Sequence, residues 1–349
     1  MRAPRVSPPV AAEAPQGPTL PLSTLTVGYG GAALLKRMLD SLLASKPPPA
    51  EGILVDNASP EPLGEVFGAF AAAAREAGIR PVLVEAGANL GFGGGNTAGL
   101  KHATQPWVML VNPDTEVEPA TLAALLEATK ALPGPCVSQP LLLFSERRDT
   151  INSAGIAPYL DGGFVDMLCE APRERLRARE PIEIAAATGA CALFPREFPG
   201  TYGFFDPDYF LYFEDVDLGL RWRRMGVRAF LVPSATMFHH WHGTTGKAEG
   251  ALAVEISSNQ IKTVAKNYPP LEAIVAGLLW SAVTASYLWW RGRPVEGRTR
   301  VNAAARELRQ WRLLLSKRRE VRALGPDARV RRWIVLPKLP RFADPPQLR

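Results

Sequence analysis

Between Asp206 and Asp217, five carboxylates (Asp206, Asp208, Glu214, Asp215, Asp217) are interleaved with Tyr209, Phe210, Leu211, Tyr212 and Phe213. A solvated acidic run does not mix charge with aromatic rings in this way. Carboxylates held beside apolar surface take raised pKa values and act as bases, or are kept ionised by a nearby cation. Shortly afterwards, Phe238-His-His-Trp-His242 gathers three of the four histidines of the chain. An acid-rich segment answered by a histidine cluster points to a base and a metal ligand meeting in one pocket. The same pattern also describes acidic first-turn residues of a helix followed by a histidine-bearing strand.

The elements that would position these residues alternate along the chain. Leu22–Val27 reads as a strand, and Leu34, Leu35, Met38, Leu39, Leu42 and Leu43 repeat at helical spacing. Gly52–Val55, Arg80–Glu85 and Trp107–Val111 read as further strands, with helices over 61–77, 94–103 and 119–131. Continuous apolar strands separated by helices predict an α/β fold, a mostly parallel sheet covered on both faces. Tyr29, Asp56, Asn89 and Asn112–Asp114 each follow an apolar strand closely. Those are the carboxyl ends, where open α/β sheets bind ligands, although Asn and Asp also favour plain turns there. From Pro133 to Pro181 the sequence reads as loop-rich. Order returns over Ile184–Phe194, in a helix Glu214–Met225 ended by Gly226, and in a strand Arg228–Pro233.

A length of 349 residues, 47% apolar and 21% charged, describes a globular chain with a sizeable core. Cys136, Cys169 and Cys191 show no CxxC spacing and read as reduced core thiols. The net charge of +6 is uneven: residues 291–349 hold 17 Lys and Arg against five Asp and Glu, near +12, leaving the rest near −6. A basic tail on an acidic body predicts an anionic partner surface, membrane or nucleic acid. No nucleic-acid-binding motif accompanies it. The 18 residues Ala273–Trp290 carry no charge and end in Tyr287, Trp289 and Trp290. They predict an in-plane or partly inserted helix rather than a full span, with a core-covering helix as the alternative. Residues 1–21, rich in Pro and Ala and without an apolar core of signal-peptide length, read as a disordered arm, which puts the catalytic body on the cytoplasmic side.

Val55-Asp-Asn-Ala-Ser59, Asn89-Leu-Gly-Phe-Gly-Gly-Gly-Asn96, Asn112-Pro-Asp114, Thr188-Gly-Ala-Cys191, Phe210-Leu-Tyr-Phe-Glu-Asp-Val-Asp-Leu218 and His239-His240 occur in this order. Together they resemble the family 2 glycosyltransferases, in particular the rhamnosyltransferase-like branch with a GT-A fold, over about residues 22–270. The resemblance implies a GT-A domain over 22–268, and the uncharged, aromatic-ended stretch with its basic tail predicts a helical, membrane-associating region over 269–349. It implies that Asp56 recognises the base or ribose of a nucleotide-sugar donor, and that Val27, Tyr29, Asn89, Gly93, Asn96, Asn112, Thr188 and Gly189 line the donor site. Asn112-Pro-Asp114 is similar to the metal motif of that branch, so Asp114 and His239, with His240 as the alternative, are implied ligands of Mn²⁺ or Mg²⁺. His242 is placed at the acceptor side or in solvent. Asp215 is the implied general base and Glu214 its support, while Asp206, Asp208 and Asp217 are structural. The glycine-rich segment would bring backbone N–H groups to the diphosphate, or form a tight loop without a ligand. Gly28-Tyr-Gly30 departs from the family's pattern and loses side-chain amides beside the base. The expected activity is inverting, metal-dependent transfer from dTDP-rhamnose, with UDP-linked sugars next, to a glycan or lipid-linked acceptor. The rival is a non-catalytic sugar-nucleotide-binding scaffold of a polysaccharide assembly complex.

Overall fold

The computed structural model describes residues 5–6, 18–61, 63–240, 250–274, 280–290, 292 and 294–335. The first half runs β1 (Arg5–Val6), β2 (Leu20–Gly28), α1 (Ala32–Leu43), β3 (Pro49–Asp56), α2 (Gly64–Glu76), β4 (Arg80–Glu85), α3 (Gly91–Leu100), β5 (Trp107–Val111), β6 (Thr115–Val117) and α4 (Thr121–Lys130). There follow β7 (Cys136–Phe144), β8 (Ile151–Ser153), β9 (Ile156–Pro158), β10 (Phe164–Asp166), β11 (Ile182–Ile184), β12 (Cys191–Pro195), α5 (Phe198–Tyr202), α6 (Glu214–Met225) and β13 (Arg228–His239). Helices α7 (Gly250–Asn267), α8 (Pro270–Ile274), α9 (Trp280–Trp290), α10 (Pro294–Arg309), α11 (Trp311–Ala323) and α12 (Ala328–Arg331) complete the described chain.

One sheet takes the order β1-β4-β3-β2-β5-β12-β7-β13-β11. Its two faces follow from the period of two along each strand. Leu25, Ile53, Val55, Val108 and Leu110 point to the face covered by α6, whereas Leu22, Leu54, Met109 and Val111 point to the face covered by α1, α2 and α4. On α1 the buried residues Leu35, Met38, Leu39 and Leu42 keep the helical spacing read from the sequence. The sheet is mixed where a mostly parallel one was expected. The β4-β3-β2-β5 half is parallel, but β12 enters antiparallel to both β5 and β7.

The loop-rich expectation for 133–181 needs correction: β7 is nine residues long, wholly buried, and central in the sheet. Ser138, Gln139 and Pro140 disguise it, since proline inside a run ordinarily argues against a central strand. The parallel register to β13 jumps from Val232↔Pro140 to Thr236↔Leu141, so this proline sits at a bulge where the ladder is already broken. The three cysteines are free, two of them buried.

The unfolded-arm expectation for 1–21 falls mostly outside the described residues; Arg5–Val6 pairs with β4, and β2 begins at Leu20. At the other end, α7 and α12 share a small core with α6 built on Val216, Leu220, Val264, Tyr268 and Val330. The Arg224 side chain, fully buried on α6, donates to Asn267 O, Gly325 O and Asp327 Oδ1 at 2.7–2.9 Å. No helix among the described residues is long and apolar enough to cross a membrane; residues 275–279 of the charge-free stretch lie outside them.

Candidate active site

The parallel register aligns Gly28, Asp56 and Glu85 at one sheet edge, and a cleft of about 330 Å³ opens beyond it. Val27 and the half-exposed Tyr29 are among the residues that line it. The next two turns are tied to each other through Asn57. Its Nδ2 donates to Asn89 Oδ1 at 3.0 Å and Gly91 O at 3.2 Å, and its Oδ1 accepts from Leu90 N at 2.9 Å. Gly91 begins α3 at φ +71°, and a Cβ there would lie 2.1 Å from Phe210 O. Only glycine allows the two loops to meet so closely. Farther along α3 the glycines serve packing, since Cβ atoms at Gly95 and Gly99 would strike Val27, Leu25 and Val55.

Backbone pairing builds the next wall. The β12–β5 ladder continues as Asn112 N→Ala190 O at 2.9 Å, setting Thr188–Ala190 beside the Asn-Pro-Asp turn. The β6–β13 ladder, closed by His240 N→Asp114 O at 2.8 Å, then sets Asp114 beside His239. His239 Nδ1 lies 2.8 Å from Asn152 Oδ1, and a neutral imidazole that donates there presents Nε2 as an acceptor. That Nε2 faces Asp114 Oδ1 at 3.4 Å, and this carboxylate oxygen is buried without a hydrogen-bond partner. Two acceptors facing each other in a buried place suit a shared cation, and an outer-shell partner such as Asn152 is what orients a ligating imidazole. Among the described residues no cluster of three or more His, Cys, Asp or Glu side chains is arranged to hold a metal. The pair therefore fits a cation that takes its remaining ligands from elsewhere, as Mg²⁺ and Mn²⁺ do with phosphate oxygens. His240 is engaged differently, at 2.7 Å from Glu116 Oε1 and 3.0 Å from Glu146 Oε1. His242 lies outside the described residues.

The same cleft is lined by Glu214 and Asp215, the first residues of α6. Asp215 Oδ2 accepts from Gly189 N and Oδ1 from Val216 N, both at 2.7 Å. Burial raises the Asp215 carboxyl above its ordinary range, and these backbone N–H groups only partly oppose it. Glu214 is 5% exposed with Oε2 unpartnered, and burial, reinforced by Asp215, pushes it up to about 8. The chain reaches this pair through Tyr212 and Phe213 at φ +67° and +71°. Left-handed backbone at bulky residues costs about 1–3 kcal/mol each and persists only where the surroundings impose it. Asp217 faces away, buried between Arg221 and Lys266, and burial is more than offset by these cations, which hold its carboxyl below the usual range.

Of the residues expected from the sequence, Val27, Tyr29, Asn89, Asn112, Asp114, Thr188, Gly189, Glu214, Asp215 and His239 line this one cleft. Asp56, Gly93 and Asn96 do not. Asp56 Oδ1 accepts from Ser59 N at 2.9 Å in a local turn, Gly93 makes room for Phe205, and the buried Asn96 donates to Phe92 O at 3.0 Å. Asn57, Asn152 and Asp166 also line the cleft. Asn57 stood in view inside Val55–Ser59. Asn152 and Asp166 come from the segment read as loop, and no spacing rule connects them to His239. Burial lifts the Asp166 carboxyl to about 6 against a hydrogen bond from Ser153. Behind the cleft, Gln139 of β7 accepts from Thr188 N at 2.9 Å and fixes that wall.

Comparison with known proteins agrees with this arrangement. Residues 23–199, just over half of the chain, match the family model described as glycosyl transferase family 2. Over 248 residues the chain is 32% identical to the N-acetylglucosaminyl-diphospho-decaprenol L-rhamnosyltransferase of Mycobacterium tuberculosis strains CDC 1551 and H37Rv, covering 65% of this chain and 78% of that protein. The fold is similar to that of GalNAc-T7 with UDP, GalNAc and Mn²⁺, with a TM-score of 0.57 and 17% identity over 76% of this chain and 50% of that one. It is also similar to the mannosyltransferase PcManGT of Pyrobaculum calidifontis in complex with GDP-Man and Mn²⁺, with a TM-score of 0.53 and 17% identity over 85% of this chain and 90% of that one. The mixed α/β sheet is thus GT-A-like, and the chain belongs to glycosyl transferase family 2 and is a glycosyltransferase, similar to rhamnosyltransferases.

Proposed function

We propose that this enzyme is an inverting, metal-dependent glycosyltransferase that moves rhamnose from dTDP-rhamnose to a lipid-linked glycan acceptor in cell-surface polysaccharide synthesis. The observation that carries the reading is that one cleft is lined both by the Asp114–His239 pair and by the Glu214–Asp215 carboxylates. Inversion by single displacement needs a base on the acceptor face and charge neutralisation at the leaving diphosphate. Asp215, held by Gly189 N and Val216 N, takes the acceptor hydroxyl proton, and burial makes it a stronger base than an ordinary aspartate. Glu214, neutral around pH 7, donates a hydrogen bond to the acceptor or to Asp215. Asp114 and His239 would hold Mn²⁺ or Mg²⁺, which when bound neutralises the diphosphate. The half-exposed ring of Tyr29 would stack on the nucleobase, and the small residues Gly189 and Ala190 leave room for the sugar. The rhamnosyl donor and lipid-linked acceptor are supported by the name of the mycobacterial relative.

The membrane-facing part of the proposal concerns α9–α11. Tyr287, Trp289, Trp290, Leu308, Trp311 and Leu315 are all exposed there, interspersed with exposed Arg309, Arg312, Arg319 and Arg322. Aromatic and aliphatic groups among arginines suit shallow docking on anionic lipid at the cytoplasmic face, where a lipid-linked acceptor would lie.

A panel of nucleotide sugars, assayed for transfer and donor hydrolysis with and without Mn²⁺ or Mg²⁺, tests the function in wild type and Asp215→Asn. Metal-dependent turnover of dTDP-rhamnose that is nearly lost in Asp215→Asn is the expected result. Full activity in Asp215→Asn would sink the mechanism.

A further inference from the structure

Helix α7 carries polar residues at Asn259, Lys262, Thr263, Lys266 and Asn267, the spacing of one helix face. Such a stripe ordinarily faces water, yet here every member is buried. Four of the five, Asn259, Lys262, Thr263 and Lys266, reach the segment that leads into Glu214 and Asp215, and Asn267 bonds Asp217 on α6 just beyond it. Asn259 Nδ2 donates to Leu211 O at 3.1 Å and Tyr212 O at 3.2 Å, gripping the backbone at the left-handed Tyr212–Phe213 pair. Lys262 Nζ donates to Asp208 O at 2.8 Å and to Asn259 Oδ1 at 3.1 Å, which fixes the amide with its NH₂ toward the loop. Lys266 Nζ sits between Asp206 Oδ2 at 2.7 Å and Asp217 Oδ1 at 2.8 Å, so one cation ties the start of the loop to α6 beyond it. The Tyr209 ring lies under both ammonium groups, at 4.9 and 4.7 Å, with its hydroxyl 3.0 Å from Thr263 Oγ1. Lys317 of α11 adds a second hold on Asp206 and Asp208.

We infer that α7 is a positioning element for glycosyl transfer, its buried Asn259 and Lys262 holding the 206–213 loop so that Glu214 and Asp215 meet the acceptor in register. The inference rests on the roles proposed above for those two carboxylates. A further tie reaches the segment through its backbone, Phe92 N→Phe210 O at 3.0 Å. None of the α7 groups lines the cleft, so they act through the loop and not on substrate.

The test uses the full chain and compares Asn259→Asp, which turns the gripping NH₂ into an acceptor, with Lys262→Met, which keeps volume and leaves no carboxylate unpaired, and with Lys262→Arg, which keeps a donor. Melting temperature, calorimetric binding of dTDP with Mn²⁺, and kcat and KM for transfer from dTDP-rhamnose to a short-chain prenyl diphosphate-linked N-acetylglucosamine are measured on each. The expected result is folded protein with unchanged dTDP affinity and a kcat about 10–100-fold lower in Asn259→Asp, a smaller loss in Lys262→Met, and recovery in Lys262→Arg. Wild-type kcat in folded Asn259→Asp and Lys262→Met overturns the inference. So does a loss of kcat matched by an equal loss of dTDP binding, which marks a general structural role. Asp215→Asn is run alongside: if it transfers at the wild-type rate, the catalytic assignment has failed, whereas an inactive Asp215→Asn beside fully active α7 variants fails the positioning role alone.

Discussion

Asp114 Oδ1 and His239 Nε2 face each other at 3.4 Å, and no hydrogen bond reaches the carboxylate oxygen. A cation between them removes the conflict. Asp114→Asn and His239→Ala should therefore each abolish high-affinity Mn²⁺ binding measured by calorimetry in the presence of dTDP. Asn152→Ala, which frees the far side of the imidazole, should weaken it by about 10–100-fold. Wild-type Mn²⁺ affinity in Asp114→Asn would rule the pair out as ligands.

As the proposed base, Asp215 should set the acid limb of the pH profile. Its carboxyl is raised by burial, so the rate of transfer should begin to fall at a higher pH than an ordinary aspartate would dictate as the solution is acidified. Gly189→Ala should lower kcat as well, because a Cβ there lies 3.1 Å from Asp215 Cβ and 3.3 Å from its Oδ2. A kcat–pH profile flat down to the ordinary aspartate range would argue that Asp215 is not the base.

Glu214 gives a stability prediction with a definite sign. Its folded pKa of about 8 exceeds the ordinary value of 4.5, so between these limits the unfolded chain has released a proton that the folded chain retains. Stability falls as pH rises through that window and levels off above it. Glu214→Gln removes this dependence. The unfolding free energy of the variant relative to wild type should rise by at most about 1.4 kcal/mol for each pH unit crossed within the window. Urea unfolding at a series of pH values reads it directly, and a constant difference between the two proteins would refute the raised carboxyl. Asp217 acts oppositely: with its folded pKa depressed, its contribution is present above the ordinary aspartate value and lost on acidification.

The exposed face of α9–α11 predicts sedimentation with vesicles containing phosphatidylglycerol, weakened by salt because the arginines act through screened charge. Trp290→Ser combined with Trp311→Ser should reduce that binding without changing turnover of a soluble acceptor. Equal binding of wild type and the double variant would exclude this face.

Close packing in the catalytic domain is tested by Gly99→Ala, whose Cβ would lie 2.3 Å from Leu25 Cδ1 and 2.6 Å from Val55 Cγ2. Overpacking at such a contact costs about 1–3 kcal/mol, visible as a lower urea midpoint with an unchanged slope.

What the sequence by itself determined was local and periodic. The α1 stripe, the limits of β4, β5 and α6, and the αL glycine at Gly226 all follow from spacing and from the φ that glycine alone takes readily. The carboxyl-end polar residues Tyr29, Asn89 and Asn112–Asp114 were legible for the same reason, since a parallel sheet gathers its strand ends at one edge. Tertiary structure decided the rest. Only the β6–β13 ladder brings Asp114 to His239, 125 positions apart in the chain. Only burial in the sheet centre makes a strand of Cys136–Phe144 despite Pro140, and only that strand supplies Gln139 behind Thr188. Asp56 and Asn57 show the limit most simply: adjacent and both polar, one closes a local turn while the other spans two loops. The buried polar face of α7 could not be told from a solvated one, because periodicity gives the direction of a face and not what covers it. Covering is a property of the whole chain.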